Sequence, residues 1–355
     1  MTKKPQKKKS SLISKRTVPI TGNKELHNAP KSLKPLRARQ LIRRFHVLLK
    51  YKSSILTRIR KLVKWSDEKD GNINDNYMTI INKKKQYGKI YQDEWDKTWN
   101  GLKINKTPQS VIDPDTNDRI SNDTTVEDMI RILGKIDSEI KKRGGLETYQ
   151  TASTLGQDGK RGGDSSKILV KWIKELGNEI NTDTALEIGC LSSKNEISTS
   201  KIFKSITRID LHSQEPNIIE EQDFLKRPLP QIDEEKFDCI SCSLVVNFVP
   251  SAEQRGEMLC RMCDFLNEPR YDKNSFLFFV IPLPCVENSR YCNLETMDLI
   301  FSKLGFEKMK YHQTHKLAYW LLKWKGSKFV DFKFSCHKKE LRTGKDRNNF
   351  CIIIK

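Results

Sequence analysis

Leu186-Glu187-Ile188-Gly189-Cys190 is followed, 21 residues after its glycine, by Asp210 in Ile206-Thr207-Arg208-Ile209-Asp210-Leu211. The order is apolar strand, glycine turn, intervening helix, second apolar strand, terminal acid. A Rossmann-like sheet uses this layout to hold an adenosine. The glycine lets the main chain approach the ligand, and the acid ending the next strand accepts hydrogen bonds from the ribose hydroxyls. A dinucleotide site packs its pyrophosphate against three glycines in GxGxxG, and here Gly189 stands alone. S-adenosylmethionine carries no phosphate, so one close approach suffices. Glu187, two places before the glycine, points to the same ligand. The competing reading is an ordinary strand-to-helix turn that contains one glycine.

Outward from this centre the pattern alternates. Strands are expected over 184–188, 205–211, weakly over 218–222, then over 237–246 and 276–281. Helices are expected over 126–143 with Thr124 as its cap, over 167–176 after the capping run Asp164-Ser165-Ser166, and over 252–266 and 294–304. Two extended runs, 307–324 and 349–354, follow without a clear helix between them. Alternating β and α units imply a parallel sheet with helices on both faces. The late extended pair suggests an antiparallel edge, as in class I methyltransferases. The fold class is therefore α/β, a Rossmann-like class I methyltransferase sheet with a basic, partly disordered and helical N-terminal extension. Domain boundaries are expected at 1–32 for a basic tail, 33–145 for the extension and 146–355 for the S-adenosylmethionine-dependent domain.

The net charge of +20 is concentrated at one end. Residues 1–64 hold 20 lysines and arginines against one acid, Glu25, while the remainder carries 45 against 44. Such an arm attracts polyanions because neutralised phosphates release condensed counterions. Lys3-Lys4-Pro5-Gln6-Lys7-Lys8-Lys9 also resembles a nuclear address. From 35 to 64, Leu41, Phe45, Leu48, Leu49, Ile55, Ile59 and Leu62 recur at helical spacing among basic residues. One or two basic amphipathic helices are expected there, gripping RNA by its phosphates or docked on the body with a solvated basic face. Residues 66–125 read as an elaborated connection, helical near 93–99.

In such a sheet the ligand lies at the carboxyl ends of the strands. Gly189 and Asp210 fall there. Asp223, ending the third strand, is placed to accept from the adenine amino group of the cofactor, and Phe224 to pack on its purine. After the fourth strand, Asn247 and Phe248 in Ser243-Leu244-Val245-Val246-Asn247-Phe248-Val249-Pro250 occupy the position where amino- and ring-nitrogen methyltransferases place a polar acceptor and a stacking aromatic. Helix caps or loop acids at Asp210 and Asp223, and a plain turn at Asn247-Phe248, are the bland alternatives. Arg161, in Arg161-Gly162-Gly163-Asp164-Ser165-Ser166, is a candidate partner for the methionine carboxylate beside a helix N-terminus.

Nine cysteines, an odd number, sit mostly in apolar segments and point to a reducing compartment. Cys239-x2-Cys242 and Cys260-x2-Cys263 mimic a zinc ribbon. Residues three apart on a strand face opposite ways, so the first pair cannot share one tetrahedral ion. No metal site is expected. No apolar run reaches the ~20 residues of a membrane span, so no membrane association is expected.

Tyr149-Gln150, Ala152-Ser153, Gly156-Gln157, the 161–166 motif, Leu186-Glu187-Ile188-Gly189 and the 243–250 motif together resemble the fungal 25S ribosomal RNA adenine-N(1) methyltransferase family. The likeness covers about residues 145–355. It implies S-adenosylmethionine as methyl donor, N1 of one adenine in large-subunit rRNA as acceptor, free or in a pre-ribosomal particle, and action in the nucleus, at the nucleolus. It also implies cofactor binding by Gly189 and Asp210. Leu191 and Ser192 depart from the general pattern, where more glycine is usual. Relatives that act as non-catalytic S-adenosylmethionine sensors supply the other hypothesis, protein partners in place of RNA. The basic arm favours the rRNA enzyme.

Overall fold

The computed structural model describes residues 35–66, 73–102, 123–145, 148–149, 164–177, 182–213, 215–270, 273–327 and 337–354. The first element, α1 (Pro35–Leu62), is one continuous helix of 28 residues. It packs with α2 (Ile73–Lys83), α3 (Lys85–Gly101) and α4 (Val126–Lys142). Leu48, Ile55, Leu56 and Ile59 meet Ile80, Ile81, Tyr87, Tyr91, Met129, Ile130, Leu133 and Ile136 in a core of their own. At Gly134 a Cβ would lie 2.4 Å from the Tyr91 carbonyl oxygen, so α3 and α4 touch backbone to backbone. The stretch expected as an elaborated connection thus contains two full helices. Their polar exteriors hid an apolar stripe at helical spacing, Tyr77, Ile80, Ile81, Tyr87 and Tyr91. The cap of α4 is Thr125, one residue later than expected, which accepts from the Asp128 amide at 3.1 Å.

The expectation that α1 docks with a solvated basic face holds for Arg43, Lys50, Arg60 and Lys61, which are exposed, but Arg44 and Lys52 turn inward. Arg44 is buried and pairs with Glu139 of α4 through two bonds, Nε to Oε1 at 2.8 Å and a terminal nitrogen to Oε2 at 2.7 Å. Arg143 Nε adds a third at 2.7 Å. Burial works to raise the Glu139 carboxyl, but Arg44 and then Arg143 hold it below the ordinary carboxylate range. About two turns further on, Lys52 donates to Asp137 Oδ1 at 2.6 Å, while Tyr77 and Tyr91 donate to Oδ2 at 2.7 and 2.9 Å. A charge leaves water only with a partner, and these pairs fix the register of α1 against α4.

Beyond α5 (Ser166–Leu176) the sheet begins. Its members are β1 (Thr184–Ile188), β2 (Ser205–Asp210), β3 (Glu220–Glu221), β4 (Cys239–Ser243), β5 (Phe276–Pro282), β6 (Phe306–Gln313) and β7 (Leu317–Trp324). The order across the sheet is 3-2-1-4-5-7-6. Strands β1 to β5 run parallel, and β7 inserts antiparallel between β5 and β6. Helix α5 and the short α6 (Glu196–Thr199) cover one face, with Leu169, Trp172 and Ile197 on Cys239, Phe278 and Leu321. Helices α7 (Ala252–Asp264) and α9 (Leu294–Lys303) cover the other, with α8 (Pro284–Glu287) leading into α9. There Met258, Leu259, Met297 and Ile300 pack on Leu186, Cys242 and Phe279. Cys239 and Cys242 thus serve opposite layers, as a strand demands.

Two expectations are revised. The antiparallel edge lies wholly within 306–324, as the β6–β7 hairpin. Residues 349–354 are no strand of this sheet. They lie along α7, whose Ala252 carbonyl accepts from the Ile353 amide at 3.0 Å, while Arg255 donates to the Cys351 carbonyl at 2.7 Å and Ser289 to that of Phe350 at 2.6 Å. Side chains and a helix start satisfy this backbone, so its apolar residues are buried without a ladder.

Candidate active site

Strand β1 ends at Ile188, and the chain turns through Gly189 at φ +77°. The Gly189 and Cys190 amides both donate to the Ile209 carbonyl of β2, at 2.8 and 3.0 Å. A Cβ on Gly189 would stand 2.4 Å from Val245 Cγ2, in the loop after β4. A bare turn is required by both conformation and space. The following loop, where Leu191 and Ser192 stand in place of the more usual glycines, is tied by hydroxyls. Ser192 Oγ and the Ser193 amide donate to Glu215 Oε1 at 3.2 Å, and Ser193 Oγ to Oε2 at 2.5 Å. The Ser193 hydroxyl in particular holds the Glu215 carboxyl below its ordinary range.

Glu187 is buried inside this turn. Asn195 Nδ2 donates to its Oε1 at 2.8 Å, the Cys190 thiol adjoins the carboxyl, and no nitrogen or hydroxyl donor reaches Oε2. Burial pushes this carboxyl up. A buried carboxylate oxygen left unpaired beside a ligand turn calls for a cation, and the α-ammonium of a methionine moiety is one. Asp210 ends β2, half-buried, its Oδ1 accepting from the His212 amide at 3.0 Å. This bond fixes the carboxylate at the strand tip. Asp223 is also half-buried, and its Oδ1 caps its own turn by accepting from the Leu225 amide at 2.9 Å. Phe224 is a correction. It is 3% exposed and packs in the core, 5.2 Å from the Phe265 ring and under the Arg261 guanidinium at 5.9 Å, leaving no face for a purine. Arg161 lies outside the described residues.

The start of α5 clasps the loops after β1 and β4. Asp164 Oδ1 receives the Ser166 amide at 2.9 Å and its hydroxyl at 2.7 Å, and Oδ2 receives the Glu196 amide. Ser165 Oγ lies 2.7 Å from Ser243 Oγ at the end of β4. There the backbone bends sharply, with Leu244 at φ +59°. The Phe248 amide closes the turn onto the Val245 carbonyl at 2.8 Å. Asn247 is buried, and its Oδ1 has no partner. The Phe248 ring is stacked on the His46 imidazole of α1, with centroids 3.9 Å apart and planes at 15°. Tyr149 stands edge-on to both, at 6.3 Å from Phe248 and 5.1 Å from His46, and is itself stacked on Phe45 at 4.8 Å. Burial first, and Lys50 second, lower the His46 pKa to about 3, so the ring is neutral at physiological pH.

Gly189, Glu187, Asp210 and Asn247-Phe248 are therefore brought together at the carboxyl ends of β1, β2 and β4. Asp223 stands at the end of the neighbouring β3. Sequence reasoning missed His46, Tyr149, Asn195 and Glu215. Tyr149 lay within a quoted motif but carried no chemical signal, and a lone histidine in a basic helix carried none at all.

This strand order, with a lone-glycine turn and an orphaned carboxylate beside it, defines a class I S-adenosylmethionine-dependent methyltransferase. The family profile described as "25S rRNA (adenine(2142)-N(1))-methyltransferase, Bmt2" matches residues 134–352. A Saccharomyces cerevisiae protein named 25S rRNA (adenine(2142)-N(1))-methyltransferase is 36% identical over 348 residues, 97% of this chain and all of the relative. A Schizosaccharomyces pombe 25S rRNA adenine-N(1) methyltransferase is 38% identical over 231 residues, 63% of this chain and 82% of the relative. The chain belongs to this 25S rRNA adenine-N(1) methyltransferase family. Among solved structures, a Clostridium acetobutylicum methyltransferase aligns over 50% of this chain and 99% of its own at 13% identity and a TM-score of 0.39. The N-methyltransferase NodS of Bradyrhizobium japonicum aligns over 44% and 86% at 14% and 0.33. These overlaps are loose, and the fold assignment stands on the strand order.

Proposed function

We propose that the chain transfers a methyl group from S-adenosylmethionine to N1 of an adenine in large-subunit rRNA, with Asn247 reading the target base. S-adenosylmethionine supplies a methyl on a sulfonium. Gly189 admits it by lacking a side chain, Asp210 is placed for the ribose, and Glu187 Oε2 for the α-ammonium. Adenine N1 is an uncharged nucleophile at neutral pH. Its lone pair forms the new N–C bond as the C–S bond breaks, its electrons returning to sulfur. No general base is needed, and positioning supplies the acceleration. Positive charge moves from sulfur to the adenine ring, so groups that favour a cation there act in the transition state.

The observation that carries this reading is the buried, unpartnered Oδ1 of Asn247, two residues past the Val245 side chain that crowds Gly189. A carbonyl oxygen accepts from the adenine N6 amino group, leaves N1 free, and repels the O6 of guanine. The N6 protons become stronger donors as the ring gains charge, so the bond tightens as the methyl arrives. Asn247→Ala is expected to lower kcat about 100-fold, on the order of 2.7 kcal/mol, while calorimetry shows unchanged cofactor affinity. Primer extension across the target adenine reads the product. An unaltered kcat would remove Asn247 from the mechanism.

The basic stretch 1–64 supports rRNA or a pre-ribosomal particle as partner, and action in the nucleolus as part of ribosome assembly. We divide the chain on this reading into a tail (1–32), an extension (33–145) and a methyltransferase domain (146–355).

A further inference from the structure

Polar side-chain atoms buried without a partner are rare, and each calls for an occupant. Among the described residues there are five: Gln40 Oε1, His46 Nε2, Glu187 Oε2, Asn247 Oδ1 and Trp324 Nε1. Glu187 and Asn247 belong to the site already described. His46 lies on α1, outside the sheet domain, yet its ring is stacked on Phe248, the residue after Asn247. One face of Phe248 is therefore covered by the extension.

Rigid supports hold His46 there. Two residues earlier, Arg44 is locked to Glu139 by its paired bonds, with Arg143 behind. Its neighbour Phe45 is stacked on Tyr149. One turn later, Lys50 is an exposed residue, yet burial first and Arg255 second push its ammonium pKa down, while the Cys285 thiol opposes them. A packed stem beneath a head that reaches water accounts for both observations. Lys50 lies one turn along α1 from His46, on the same face, with an exposed side chain.

Resting on the rRNA adenine reading above, we propose that α1 forms a wall of the acceptor pocket, with the His46 imidazole bonding the target adenine through Nε2 and Lys50 meeting a phosphate of the same strand. Adenine N1 is hidden in a base pair, so the target enters single-stranded or flipped. A pocket for a flipped base needs aromatic walls, polar atoms aimed at its edge, and a cation at its mouth for the backbone. Phe248, His46 and Tyr149 are the walls, Asn247 Oδ1 and His46 Nε2 the polar atoms, and Lys50 the cation. The neutrality of the imidazole matters to the chemistry. The methylated adenine is a cation, which a protonated histidine would repel and which neutral aromatic faces attract.

The test uses the full chain, a short rRNA fragment that the wild type methylates, and the same fragment lacking the target base. His46→Ala is expected to lower kcat/KM at least about 10-fold, the scale of one buried hydrogen bond with its stack, at unchanged S-adenosylmethionine affinity by calorimetry. The wild type is expected to bind the intact fragment more tightly than the abasic one, and His46→Ala to erase that difference. His46→Phe keeps the wall without Nε2, and should recover the stack but not the full rate. Lys50→Ala should weaken both fragments equally and lower the salt slope by about 0.7, one single-strand phosphate. Wild-type kcat/KM with intact discrimination in His46→Ala would overturn the proposal, as would loss of cofactor affinity along with activity, which marks a merely structural role. A Lys50→Ala protein with an unchanged slope overturns the phosphate contact. A wild type that methylates no adenine overturns the function itself, which this design separates from failure of the wall.

Discussion

At Gly189 the argument comes down to one missing methyl group. Gly189→Ala would force a side chain into a left-handed conformation and against Val245. The cost is about 1–3 kcal/mol of stability from strain and overpacking, with cofactor affinity falling at least 10-fold on the scale of 1.4 kcal/mol per decade. Thermal melting and calorimetry measure the two separately. His46 gives a residue-scale prediction in pH. Its folded pKa is about 3 against an ordinary 6.5. The unfolded chain takes up a proton below about pH 6.5 that the folded chain refuses, so stability falls with pH from there towards about pH 3. Between about pH 7.5 and about pH 5 the wild type should lose on the order of 1–2 kcal/mol more than His46→Phe, as read from denaturant midpoints. The sequence made the positions of Gly189, Glu187 and Asp210 at the strand ends legible because they follow from local spacing along two neighbouring strands. His46 and Tyr149 were not legible as site residues. Their meaning comes from a stack between parts of the chain that are distant in sequence, and no local pattern records it. Phe224 was misread because the residue after a strand end can turn either to the ligand or to the core, and the Phe265 and Arg261 side chains decide that only in three dimensions.

Among the elements, α1 departs most from its sequence reading. Its periodicity announced a basic amphipathic helix, but periodicity does not say which cations find carboxylates. Arg44 and Lys52 turn inward because Glu139 and Asp137 wait on α4. Arg44→Met should cost about 3 kcal/mol, since it takes two of three bonds from the buried Glu139 carboxylate and leaves it to Arg143 alone. Pairing it with Glu139→Leu should restore part of the loss, because the expense lies in the under-paired carboxylate. Denaturation of the single and double variants measures this, and an additive double variant would show that the two residues do not act as a pair. The sheet was far easier to read. Strands buried on both faces announce themselves as continuous apolar runs, such as Phe276–Pro282. The last apolar stretch misled for the same reason. Residues 349–354 have the composition of a strand, and only the docking of Ile353 on Ala252 shows a different backbone solution.

Over the whole molecule, charge is segregated. The arm carries nearly all of the excess, and the body is close to neutral. Removing residues 1–32 should therefore lower nuclear accumulation of a fluorescent fusion and flatten the salt dependence of rRNA binding, while methyl transfer at low salt persists. Identical localisation of the shortened protein would discard the nuclear address. The sheet has a further implication, for the order of assembly. Strand β5 rests against β4 on one side and β7 on the other, and β7 reaches it only by doubling back through β6. A hairpin closes within microseconds, whereas seating it across a finished parallel sheet is a slower, non-local event. Until then Trp320 and Leu322 on one side of the ribbon, and Tyr319 and Leu321 on the other, stand in water. A ribbon not yet seated offers apolar surface on both sides, the kind of surface that chaperones cover.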